Sequence, residues 1–195
     1  MFVLDPATSR VRIFVYRGGA AARAGHNHVL SAPDFTGYAY VPEGDLKDAR
    51  FDLDFALERL AVDPPAIRAG AGPAFASVLD DAARSGTRAH MLGPKNLDAA
   101  RFPEVLIHGQ AIAGEWPHLV ASLSMTLHGV SRPLLVPLEA QLHGRALAVS
   151  GRFAIRQSDF GASPYTALGG LIAVRDEVYV EFELLGREAA FDRTP

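Results

Sequence analysis

The sequence predicts a mainly β, antiparallel fold, a barrel or a sandwich, interrupted once by a helical insertion. Three observations carry that prediction. Apolar and polar residues alternate with a period of two in segment after segment, Pro and Gly cut the segments apart, and residues 64–100 abandon that period for spacings of three and four. At 195 residues, one well-filled domain spanning 1–195 is the expected size for an all-β chain.

The first strand is read at Val11, Ile13 and Val15, which alternate with Arg12, Phe14 and Tyr16. A second spans residues 33–41, bounded by Pro33 and Pro42-Glu43-Gly44. Phe51, Leu53 and Phe55 alternate with Asp52 and Asp54 in the third. After the insertion come residues 104–113 and 118–127, bounded by Pro103, Gly114 and Gly129. Leu134, Val136, Leu138 and Leu142 then alternate with Glu139, Gln141 and His143. From 145 to 157, Leu147, Val149, Gly151, Phe153 and Ile155 share one face and Ser150, Arg152 and Arg156 the other. The last strand sets Val174, Asp176, Val178, Val180, Phe182 and Leu184 against Tyr179, Glu181 and Glu183, and residues 187–195 read as a flexible tail. Eight or nine strands suit a barrel or a sandwich.

Within 64–100, Phe75, Val78, Leu79, Ala82 and Ala83 form one helical stripe expected to end near Ser85-Gly86. Thr87 is a candidate cap for a short turn through Met91, stopped by Gly93-Pro94, and Asn96 for another through Ala100. A segment of this length is too long for a hairpin loop and must pack across the barrel or over its mouth.

Composition narrows the function. A net charge of −3 with no clustered Lys or Arg argues against a nucleic-acid partner. The absence of cysteine removes disulfides, thiolate metal sites and cysteine nucleophiles. No apolar run approaches the ~20 residues of a membrane-spanning helix. The N-terminus shows no signal peptide, so the chain as written is expected in the cytoplasm, or in the periplasm if a leader was removed.

Candidate chemistry is sparse. His26 and His28 lie two apart, so on a strand their imidazoles share one side with Cα atoms about 6.5–7 Å apart. That spacing can chelate Zn²⁺ given a third ligand, and a metal-dependent enzyme built on the pair is the alternative function. The competing reading is a polar loop whose imidazoles bond backbone or water. His128, in Leu127-His128-Gly129-Val130, reads as a hairpin corner whose ring is either structural or a head-group contact at the rim. In Ser158-Asp159-Phe160-Gly161, Asp159 is expected to satisfy turn amides and Phe160 to close a barrel end. Asp80-Asp81 reads as a solvated helix face, Gly70-Ala71-Gly72 and Gly169-Gly170 as turns, and no Gly-x-Ser-x-Gly elbow is present.

The order and spacing of several pieces resemble the YceI-like family. These are Leu4-Asp5-Pro6 with Arg12-Ile13, Leu97-Asp98-Ala99-Ala100-Arg101-Phe102-Pro103, Leu127-His128-Gly129-Val130 with Pro133, Ser158-Asp159-Phe160-Gly161, and Asp176-Glu177-Val178. The resemblance implies an eight-stranded antiparallel lipocalin-like barrel, usually periplasmic and often dimeric, that binds a polyisoprenoid or related lipid. On that basis the expected function is non-enzymatic binding, transport or storage of an elongated apolar ligand such as a polyisoprenoid, an isoprenoid quinone or a fatty chain. Leu123, Met125, His128, Leu138, Phe153, Ile155, Phe160, Val180 and Phe182 are the candidate ligand contacts. No cofactor is required beyond a bound lipid, unless His26 and His28 hold zinc, and a homodimer is a possible state. A filled barrel acting as a structural or stress-related interaction module is the remaining alternative, because the same apolar faces can close on each other.

Overall fold

The computed structural model describes residues 1–43 and 45–189. Its strands, in chain order, are β1 (Phe2–Leu4), β2 (Arg10–Gly18), β3 (His28–Ser31), β4 (Thr36–Tyr40), β5 (Arg50–Ala56), β6 (Ala61–Val62), β7 (Glu104–Glu115), β8 (His118–Leu127), β9 (Val130–His143), β10 (Ala146–Arg156), β11 (Thr166–Ala167) and β12 (Ile172–Glu188). The two α-helices, α1 (Pro65–Ala69) and α2 (Asp81–Leu92), fall between β6 and β7.

Three pairs of short strands act as single staves. β1 and β2 both run antiparallel to β12, with Leu4 opposite Gly186 and Val11 opposite Phe182. β4 then pairs with β1 while β3 pairs with β2, and β5 pairs with β4 while β6 pairs with β3. The sheet continues β5-β7-β8-β9-β10-β12 and closes on β1. The result is a closed antiparallel barrel of eight staves, which leaves no long edge open to pair with another chain.

The period of two decides what faces inward. Because successive side chains alternate across a strand, Val11, Ile13 and Val15 on β2 and Leu147, Val149, Phe153 and Ile155 on β10 point into the barrel. Two glycines allow bulky rings to lie flat against the wall. A Cβ on Gly109 would sit 2.1 Å from the Phe51 ring, and one on Gly151 would sit 2.6 Å from Phe182.

The outward face of β2 carries two aromatic rings, Phe14 and Tyr16, and the insertion covers them. Phe75 packs edge-on against Phe14 and Tyr16, each at 5.5 Å between ring centroids, and is buried with Phe14 and Val29 under Ile67 of α1. The insertion therefore grips the outer wall through Phe75 before α2 crosses to the barrel end, where Arg88 donates to the carbonyls of Glu58 and Leu60.

Several local expectations need correction. The helix does not run from Phe75 to Gly86. Phe75 lies in a 3-10 turn that starts at Pro73, Val78 is 94% exposed, and α2 begins only at Asp81, where the Asp80 carboxylate accepts from the Ala83 N–H. That cap offsets the cost of Gly86, since a capping carboxylate contributes about 1 kcal/mol and an interior Gly costs about the same, and the helix runs on through Ser85-Gly86. Thr87 is consequently not a cap but sits mid-helix, its hydroxyl donating to the Ala83 carbonyl. Asn96 starts no helix and donates its amide to the Ser163 carbonyl. In the Ser158–Gly161 turn it is Asp176 rather than Asp159 that accepts from the Ser158 amide and hydroxyl, because an irregularity in β12 between Val174 and Val178 lifts that carboxylate out of register. Arg187 and Glu188, assigned by the sequence to a flexible tail, are paired in β12, and residues 190–195 of that tail lie outside the described residues, as does Gly44.

Gly86 offers a direct check on this account. A Cβ there meets nothing within 4 Å, so Gly86→Ala should stabilise the protein by about 0.5–1 kcal/mol through helix propensity alone. Urea unfolding should show a higher midpoint at unchanged slope, and a lower one would contradict the helix passing through this residue.

Candidate functional site

The barrel is hollow. A cavity of about 340 Å³, lined almost entirely by apolar atoms, extends through it, and every stave contributes to its wall. That volume lies inside the range of roughly 300–1,000 Å³ usual for small-ligand sites. Lining residues on β10 run from Leu147 to Ile155 and on to Gln157 just beyond the strand. Ten steps of about 3.3 Å each, on a strand tilted by about 40°, give an axial reach of roughly 25 Å. The space is long and narrow rather than round.

Its two ends differ. At one end Tyr40, Val41, Leu46, Arg50 and Trp116 contribute to the wall, with Arg50 tied to the carbonyls of Lys47 and Ala49. At the other, α2 and the turn after it supply Thr87, His90, Met91, Asn96 and Leu97, joined by His28, Gln157 and Tyr165. His90 stacks on Tyr165 at 4.7 Å. The middle carries aliphatic and aromatic side chains alone.

Seven of the nine candidate ligand contacts line this cavity: Leu123, Met125, Leu138, Phe153, Ile155, Val180 and Phe182. His128 and Phe160 do not, and the reason is local. His128 (φ 52°) and Gly129 (φ 73°) form the two-residue turn between β8 and β9, where Leu127 pairs with Val130 and both turn residues must be left-handed. The His128 ring then packs edge-on against Phe102 at 4.7 Å. Phe160 is fully buried in the same core cluster as Leu127, Ile155 and Val178 but, unlike them, does not line the cavity. Arg132 completes this corner by donating to the Asp159 carbonyl.

The histidine pair is not set out as the spacing suggested. β3 begins at His28, so His26 lies in the preceding loop, exposed, with the two ring centroids 6.5 Å apart. His28 Nδ1 is taken up by Asp63 Oδ2 at 2.6 Å. Among the described residues, no group of three or more His, Cys, Asp or Glu side chains is placed to hold a metal ion.

What the sequence did not reveal is a buried ionic network behind that histidine. Asp63, fully buried at φ 49°, accepts from the Val29 amide at 3.0 Å and from Arg68 Nη1 at 2.6 Å as well as from His28. Arg68 also donates to the Asn27 carbonyl and to the carbonyl and hydroxyl of Ser77. Asn27 in turn accepts from the Arg17 amide and donates to the Ala74 carbonyl. Burial alone would raise the Asp63 carboxyl, but the His28 hydrogen bond, the Val29 amide and the neighbouring positive charge outweigh it and hold the group below the usual range. No local motif marks these residues, because His28 and Asp63 lie far apart in the chain and are brought together by the pairing of β3 with β6.

Fold and cavity together place the protein among the hollow eight-stranded antiparallel barrels. The YceI-like domain model matches residues 2–185, and the chain belongs to that family. BcnA of Burkholderia cenocepacia has a similar structure at TM-score 0.68 and 15% identity, covering 93% of this chain and 98% of that one. A polyisoprenoid binding domain from Saccharophagus degradans, implicated in plant cell wall breakdown, gives 0.66 at 14% identity, with 96% and 98% covered. The YCEI protein of Campylobacter jejuni gives 0.61 at 12%, with 82% and 84% covered. At these identities the likeness is one of fold. No curated protein has a matching sequence. Among the described residues, no helix is long and apolar enough to cross a membrane.

Proposed function

We propose that the protein binds one elongated apolar molecule inside the barrel, an isoprenoid chain, an isoprenoid quinone or a fatty chain, and that it acts by holding this molecule rather than by catalysis. The observation that carries the proposal is the long cavity walled by apolar side chains from all eight staves. Each methylene moved from water into such a space contributes about 0.8 kcal/mol, so ten buried methylenes supply roughly 8 kcal/mol before the ordering cost of binding. The polyisoprenoid binding domain of S. degradans, alike in fold, supports the isoprenoid member of this class.

The test is direct. Purified protein, denatured and extracted with organic solvent, should release a lipid at close to one per chain by mass spectrometry, and stripped protein should take up an added polyprenol. Repeated extraction of no stoichiometric lipid, together with no polyprenol uptake, would refute the reading.

A further inference from the structure

The inward face of β3 carries one polar side chain into an otherwise aliphatic wall. His28 pairs with Val15 across β2 and β3, and directly opposed residues share a face, so the imidazole stands beside Val15 and Leu30 on the cavity side. Its side chain is 14% exposed. Nδ1 lies 2.6 Å from Asp63 Oδ2, and that carboxylate is already held by Arg68 and by the Val29 amide. An ionised carboxylate can only accept, so Nδ1 carries the hydrogen, and in the neutral form of the ring, the form the inference concerns, Nε2 is the acceptor.

Nε2 has no protein partner among the described residues. Every buried polar side-chain atom described does have one, so Nε2 is an accessible atom of a residue that lines the cavity. Neighbouring polar groups at this end are differently disposed. The Asn96 and Gln157 amides and the Thr87 hydroxyl are each donated to backbone carbonyls, while His90 and Tyr165 stack on each other at 4.7 Å with no carboxylate behind either among the described residues. A fixed acceptor needs a fixed ring, and Asp63, itself held by Arg68, fixes the His28 ring through its Nδ1.

Resting on the apolar-ligand reading above, we infer that His28 Nε2 accepts a hydrogen bond from the ligand's terminal hydroxyl, so that the barrel selects apolar chains ending in an alcohol or a phenol. The chain lies in the aliphatic middle and its hydroxyl at the α2 end. A ligand lacking the donor leaves Nε2 unpaired once the cavity has shed its water, a loss of a kind that discriminates more sharply than a missing methylene.

The probes are dodecan-1-ol, its methyl ether and dodecane, titrated calorimetrically at pH 8 into delipidated protein. The alcohol should bind roughly tenfold more tightly than the ether, the upper range for one net hydrogen bond. His28→Leu should bind alcohol and ether equally. In the unaltered protein, the ¹⁵N resonance of His28 Nε2 should move on adding the alcohol and stay in place with the ether, a readout that needs no variant. Equal binding of alcohol and ether by the unaltered protein, an unmoved resonance, or discrimination surviving in folded His28→Leu would each overturn the inference and leave the apolar-ligand reading standing. Failure of all three probes to bind would remove that reading and this inference together.

Discussion

Asp63→Ala should lower the stability of the protein by about 3–5 kcal/mol, the usual consequence of removing one partner from a buried ion pair. The substitution leaves the Arg68 guanidinium buried without its countercharge, the Val29 amide without an acceptor and the His28 ring without its orienting carboxylate. The polar Asn27 and Ser77 contacts that remain on Arg68 cannot neutralise it. Asp63→Asn should cost less, about 2–3 kcal/mol, because an amide oxygen can still accept from Val29 while the charge is lost. The same carboxylate sets a pH dependence. Its folded-state value is depressed below that of the unfolded chain, so its contribution is fully present above the unfolded value near pH 4 and is lost as pH falls through the folded one. Urea unfolding between pH 7 and pH 3 should therefore show a loss of stability below about pH 4 that is shallower in Asp63→Asn. An alanine variant within 1 kcal/mol of the parent would show that the network is not a structural keystone.

How much of this was legible in the sequence follows from the range over which each feature is determined. The staves were readable because alternation is a property of consecutive residues, and Leu147, Val149, Phe153 and Ile155 state it without reference to anything else. The His128-Gly129 corner was readable for the same reason, since a two-residue turn demands two left-handed residues. The start of α2 was misplaced because two local signals conflict. The stripe from Phe75 to Ala83 competes with the Asp80 cap, and Phe75 satisfies its burial against Phe14 and Tyr16 on the outer wall instead of along a helix face. The Asp63 network was invisible because its members come from the loop before β3, the end of β6 and α1, and an Asp ahead of Pro64-Pro65 reads as an ordinary turn residue. Whether the barrel is hollow is likewise beyond alternation, which fixes the facing of a side chain but not the distance to the opposite wall.

That last point makes the strongest test of function a substitution that fills the cavity without altering the alternation. Val149 on β10 lines the cavity and is only partly buried, so it borders open space rather than a packed neighbour. Val149→Trp should place an indole in that space. If it displaces three methylenes of ligand at about 0.8 kcal/mol each, affinity for a long apolar chain falls by roughly 50-fold. Overpacking a filled core usually costs 1–3 kcal/mol, whereas here the space absorbs the ring and stability should change by less than about 1 kcal/mol. The two readouts separate the possibilities. Weakened binding at intact stability supports a ligand threaded past β10. Unchanged affinity for a long chain would move the ligand out of the barrel, and a large loss of stability would mean that the wall closes on itself when no ligand is bound.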